Sequence, residues 1–149
     1  MAVVPVVAAS VLGQIATYPN LVPWYSALAK PSFNPPNWIF APVWTALYVL
    51  MAAAVWRVLR FSHGSDGRRF ALGLFFLQLA LNAAWSWMFF AAHSPLLGLM
   101  NILLQLLIIV ATVIAFARLD RLAALYLIPL AGWVAFASVL NFAIWRLNP

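Results

Sequence analysis

Charge is what this chain lacks most. Eight Lys or Arg and two Asp or Glu are spread over 149 residues, so 7% of the sequence is charged while 67% is hydrophobic. A soluble domain carries about 25% charged residues, and so few charges could not cover a water-exposed surface. The solvent for most of this chain is therefore lipid, in keeping with a mean hydropathy of +1.02. Cysteine is absent, which excludes disulfides, thiolate catalysis and cysteine-ligated metal. Histidine occurs twice, as His63 and His93. They fall near opposite membrane faces and cannot share one metal, so both read as surface residues, and no metal site or required cofactor is expected. A basic patch is missing too, despite a pI near 10.9. Arg57 with Arg60, Arg68 with Arg69 and Arg118 with Arg121 sit at the ends of apolar runs, which is membrane-flanking charge and not a nucleic-acid surface.

What is present is a set of apolar runs cut by breakers and charges. They predict an all-α membrane protein, a bundle of five transmembrane helices in a single domain over 1–149. The helices are expected at about 3–20, 40–60, 69–92, 95–117 and 121–146. A hydrocarbon core about 30 Å thick needs roughly 20 helical residues. Four runs meet that length, and the first does so only if it continues towards Val22. No Lys or Arg precedes the first run, so it reads as a retained helix and not a secretory signal. Pro42 and Pro95 fall near helix starts, where a missing N–H is harmless. Pro129 falls inside the fifth run and should kink it. Five spans put the termini on opposite sides. The connections on the N-terminal side hold six arginines, and the other side holds Lys30 and Arg146. That bias predicts a cytoplasmic N-terminus for an integral protein of a bacterial cell membrane.

The connection between the first two helices, about 20–39, is unusual. Six of the ten prolines lie between Pro19 and Pro42, along with Trp24, Tyr25, Phe33 and Trp38. Such a stretch is too long for an ordinary connector and too aromatic for a disordered one. Two readings fit it: an aromatic belt at headgroup level, or a structured lid made rigid by proline.

Polar residues inside apolar runs need partners. Gln78, Asn82 and Ser86 recur every four positions and share one face of the third helix, with Trp85 beside it. Trp133, Ala137 and Asn141 repeat that spacing on the fifth helix, and Trp44 and Tyr48 on the second. Aromatic walls, a small residue and an amide would suit a pocket for a flat apolar ligand. Interhelical hydrogen bonds and ordinary packing explain the same faces equally well. Ala80 and Ala84 form a small-xxx-small pair on the third helix, offset from its polar face, which would let a second copy approach closely.

Three blocks add a resemblance. The first is Trp24-Tyr25-x-x-Leu28-x-Lys30-Pro31-Ser32-Phe33-x-Pro35-Pro36-x-Trp38-x-Phe40-x-Pro42-x-Trp44. The second is Gln78-Leu79-Ala80-Leu81-Asn82-x-x-Trp85 followed by Phe89-Phe90. The third is Pro129-x-x-x-Trp133-x-x-Phe136-Ala137-x-x-Leu140-Asn141-x-x-x-Trp145-Arg146. In order and spacing they resemble the translocator protein family, also called peripheral-type benzodiazepine receptors or, in bacteria, tryptophan-rich sensory proteins.

The resemblance implies five helices around a pocket beneath the first loop. That pocket would bind tetrapyrroles such as protoporphyrin IX or haem, and isoquinoline or benzodiazepine-type ligands, in a receptor- or transporter-like protein. The implied ligand-binding residues are Tyr25, Trp44, Tyr48, Asn82, Trp85, Trp133, Ala137 and Leu140, to which the polar face of the third helix adds Gln78; the implied homodimer forms through the third helix, where Ala80 and Ala84 supply the small-residue pair. The implied partners are thus a porphyrin or other apolar small molecule, the bilayer and a second copy, with no nucleic acid. A second possibility is light-dependent degradation of protoporphyrin IX, in which Trp44 and Trp133 would take part as oxidisable indoles. A third is sterol binding. Against it, the end of the fifth helix carries Phe142 where the sterol pattern of animal relatives has Tyr, and such patterns are weak even when intact.

Overall fold

The computed structural model describes residues 3–148, and within them every regular element is helical. Five helices form the bundle: α1 (Val3–Thr17), α2 (Asn37–Phe61), α3 (Arg68–Ser86), α4 (Pro95–Ala117) and α5 (Arg121–Leu147). The last four are long and apolar enough to cross a membrane. The regular part of α1 is only 15 residues, shorter than the expected 3–20, because Pro19 cannot extend the hydrogen-bond ladder. The chain tightens there into a 3-10 turn, Tyr18–Asn20. Thr17 Oγ1 and Asn20 Nδ2 donate to the carbonyls of Gly13 and Ala16, both at 2.8 Å, and the second bond reaches one of the four carbonyls left free at the helix end. Counting about 1.5 Å per α residue and 2.0 Å per 3-10 residue, the segment reaches about 28 Å.

The helix starts follow their capping residues. Ser94 accepts from the Leu97 N–H at 3.1 Å with Pro95 in the first turn of α4. Asp120 accepts from the N–H groups of Leu122 and Ala123 at 3.0 and 3.3 Å, opening α5. At α2 the structure corrects the expected start near residue 40. Pro36 is extended, with φ −57° and ψ 145°, and the helix begins directly after it at Asn37. Pro42 therefore lies within α2 and not at its first turn. α5 is continuous through Pro129. α3 passes into a wide π-type turn, Trp87–Ala91, which places the consecutive rings of Phe89 and Phe90 both in the interior.

In cross-section the helices follow the order α1, α3, α4, α5, α2, and the seam where α2 returns to α1 is the lightest of the five contacts. The two halves of the bundle differ. The arginine-rich end is tightly filled: Met51, Ala54 and Val58 of α2 are fully buried with Ala71, Phe75, Phe116 and Leu127. Phe75 stacks on Phe116 at 5.9 Å and 15°. There the Arg57 Nε donates to Asp120 at 2.9 Å, tying α2 to the start of α5. Partial burial pushes the Asp120 carboxyl up, but the Arg57 guanidinium and the two backbone N–H groups outweigh it and hold the group below its usual range. Outward-facing positions such as Leu103, Leu107, Val110 and Ile114 are apolar and exposed, as lipid contact requires. The opposite half of the bundle is hollow.

Candidate functional site

The hollow is a cavity of about 390 Å³ bounded by all five helices and roofed by the α1–α2 connection, which forms a lid across residues 21–36. Its aromatic lining falls into three groups of contacting rings. Trp44 lies 5.6 Å from Tyr48 on α2, and Phe40 meets Trp133 edge-on at 5.8 Å. Trp85 stacks on Phe89 at 4.8 Å and 20°. Tyr25 reaches down from the lid to within 5.4 Å of Phe90 and is buried. Burial pushes its hydroxyl above the ordinary tyrosine value, which the Asn34 side chain partly offsets, so it stays a neutral phenol.

Amides set the polar features. Tyr48 donates to Asn82 Oδ1 at 2.7 Å. Trp85 Nε1 donates to Asn141 Oδ1 at 2.9 Å, and Asn141 Nδ2 donates to the Pro95 carbonyl at 2.8 Å. These bonds fix both tryptophan and tyrosine against the wall. Three buried donors of lining residues have no partner among the described residues: Asn82 Nδ2, Gln105 Nε2 and Trp133 Nε1. Among the described residues, no Lys, Arg, His, Asp or Glu lines the cavity. Its interior is thus aromatic-walled, mostly apolar and free of charged side chains. Such a surface fits a planar, mostly apolar molecule.

The lid is held from both sides. His93 Nε2 lies 2.6 Å from Asn20 Oδ1, and its ring stacks on Trp24 at 4.6 Å and 10°. Asn148, after α5, accepts from the Ala29 N–H at 3.0 Å and donates to the Ala29 carbonyl at 2.8 Å. Lys30 lies over the Tyr25 ring at 4.6 Å. The connection is therefore a structured segment packed over this end of the bundle.

Residues 1–146 match the TspO/MBR family. The chain belongs to that family. Among its relatives, the tryptophan-rich protein TspO of Chlorobaculum tepidum is 47% identical over 126 residues, 85% of this chain and 80% of that protein. The tryptophan-rich protein TspO of Archaeoglobus fulgidus is 37% identical over 146 residues, 98% of this chain and 94% of that one. The human translocator protein is 39% identical over 126 residues, covering 84% and 75%. Membership makes the chain an α-helical membrane protein of a family with bacterial and animal branches.

Of the expected site residues, Tyr25, Trp44, Tyr48, Asn82, Trp85, Trp133, Ala137 and Leu140 all line the one cavity. Gln78 does not. It is buried one turn below, its amide 3.6 Å from Met51 Sδ, because the floor of the cavity closes above it. Ala80 is exposed on the outer side of α3 and Ala84 is half-buried, so that face is turned away from the cavity. His63 is a surface residue, whereas the exposed His93 is also a fastening point of the lid. Sequence reasoning missed Gln105 and the α1 residues Ser10, Gln14 and Thr17. Both carried a readable signal. Asn101 with Gln105, and Ser10 with Gln14 and Thr17, have the same three- and four-residue spacing that drew attention to α3.

Proposed function

We propose that this TspO/MBR family member is a membrane binding protein for flat apolar molecules. Tetrapyrroles such as protoporphyrin IX come first, and ligands of the isoquinoline or benzodiazepine type share the same pocket. The observation that carries this reading is the cavity itself: indole, phenol and phenyl rings around an interior lined by no charged side chain among the described residues. Ionised carboxylates of a porphyrin would remain at the lid, where Lys30 supplies the nearby cation. A lining without carboxylate, imidazole or amine favours binding over general acid–base catalysis.

We further read the protein as a homodimer through the outer face of α3 at Ala80 and Ala84, in a bacterial cell membrane with a cytoplasmic N-terminus. The test of the binding function is a titration with protoporphyrin IX followed by tryptophan fluorescence. Saturable one-site quenching is expected, and Ala137→Leu, which pushes a larger side chain into the cavity beside Trp133, should weaken it by about tenfold. Absence of saturable quenching in the unmodified protein refutes the reading.

A further inference from the structure

A ligand could reach the cavity past the lid or through the seam between α1 and α2. The lid is fastened. Asn20 and Trp24 are engaged by His93, whose φ of 51° is a left-handed conformation that residues with side chains seldom adopt. Farther along, Ala29 is paired in both directions with Asn148 at the end of α5. Beneath these ties, Tyr25 is packed against Phe90.

The seam is built differently. α1 leans on α3, where Gly13 allows an approach so close that a Cβ there would lie 3.3 Å from Ser86 Oγ. Against α2 its contact is light. Gln14 and Tyr18 of α1, with Ala41 and Thr45 of α2, line the cavity and are also exposed on the outer surface of the bundle. The cavity therefore communicates with the bundle's surroundings along this line. The seam also breaks the rule that lipid-facing positions are apolar. Gln14 Nε2 donates to Ser10 Oγ at 3.0 Å. Thr17 and Thr45 continue the polar rim on either side.

We propose that the seam between α1 and α2 is the port through which ligand passes between bilayer and cavity, while the lid stays fastened. The class of molecule it fits is a planar, mostly apolar compound dissolved in the membrane, with hydrogen-bonding groups on its edge. Such a molecule enters edge-on. Its apolar faces exchange lipid for the α1 and α2 side chains, and its polar edge is met by Ser10, Gln14, Thr17 and Thr45 in turn. The inference rests on the cavity being a ligand site, as proposed above.

The chain has no cysteine, so paired substitutions introduce the only thiols. Gln14→Cys with Thr45→Cys is bridged across the seam by a short, reductant-cleavable linker, and Ala29→Cys with Asn148→Cys is bridged across the lid. Each protein, in lipid nanodiscs, is mixed with protoporphyrin IX, and quenching is followed in time. Bridging the seam should slow association by about tenfold or more, with recovery when the linker is cleaved. Bridging the lid should leave the rate within about twofold. Gln14→Trp, which obstructs the seam without a linker, should slow entry as well, and it decides the matter if the seam pair does not link. Unchanged association in the seam variants overturns the proposal, and so does slowing when the lid is bridged. Failure of the underlying binding function looks different, because the unmodified protein then shows no saturable quenching at all.

Discussion

Gly98 of α4 is a position where a single methyl group tests the packing of the site. A Cβ there would lie 3.0 Å and 3.1 Å from Phe89 side-chain carbons and 3.1 Å from Asn141 Oδ1. Carbon atoms in good contact sit about 3.5–4.0 Å apart, so the neighbours would have to withdraw. Neither is free to. Phe89 is 1% exposed and stacked on Trp85. Asn141 is 2% exposed and holds both Trp85 and the Pro95 carbonyl. Two effects oppose one another in Gly98→Ala. Alanine is favoured over glycine in a helix interior by about 1 kcal/mol. Overpacking costs about 1–3 kcal/mol, and loosening the Trp85–Asn141 bond adds about 0.6–2 kcal/mol on the scale of interhelical hydrogen bonds. The net expectation is a loss of about 0.6–4 kcal/mol, together with weaker ligand binding because Trp85 shifts. Thermal unfolding in detergent, followed by circular dichroism, measures the first, and fluorescence titration the second. Gly132→Ala is the control. Nothing lies within 4 Å of a Cβ at Gly132, so propensity alone should act there, for a gain of up to about 1 kcal/mol. If Gly98→Ala were as stabilising as Gly132→Ala, the contact of α4 with Phe89 and Asn141 would not be as tight as described.

Three further outcomes are expected. Replacing Ala80 and Ala84 together by Leu should convert the proposed dimer to monomer in cross-linking or light scattering, with ligand affinity nearly kept because neither residue lines the cavity; a persisting dimer places the interface elsewhere. The Asp120 carboxyl is held below its usual range, so its contribution is complete above its unfolded value near 3.8 and is lost as pH falls through the lower folded value. Melting curves between pH 7 and pH 3 should therefore show an acid-side loss that Asp120→Asn lacks, and identical profiles would refute that role. Asp120→Ala, which removes the α5 cap as well as the Arg57 pair, should cost about 0.5–2 kcal/mol through the cap alone at neutral pH, measured by the same melts.

Much of this protein is determined by its sequence alone, for reasons that need no coordinates. Scarce charge and long apolar runs force helices into lipid, since no other open structure satisfies its backbone there. Ser94 and Asp120 mark the starts of α4 and α5 by chemistry local to each turn. The four-residue spacing of Asn82 with Gln78, and of Trp133 with Ala137 and Asn141, fixes which side chains share a face. Spacing does not fix depth or neighbour, and those were decided by the tertiary structure. Gln78 and Asn82 lie on one stripe, yet the cavity floor falls between them, so one is in the filled core and the other on the wall. Gln105 carries no more local signal than Asn101, with which it shares a face of α4, yet Gln105 lines the cavity while the Asn101 amide, one turn along, donates to the Leu81 carbonyl of α3. The polar rim of α1 is likewise explained only by the seam it faces, and the strained His93 only by the ring of Trp24 and the amide of Asn20. Periodicity is a property of one helix, whereas a cavity is a property of how five helices fail to close.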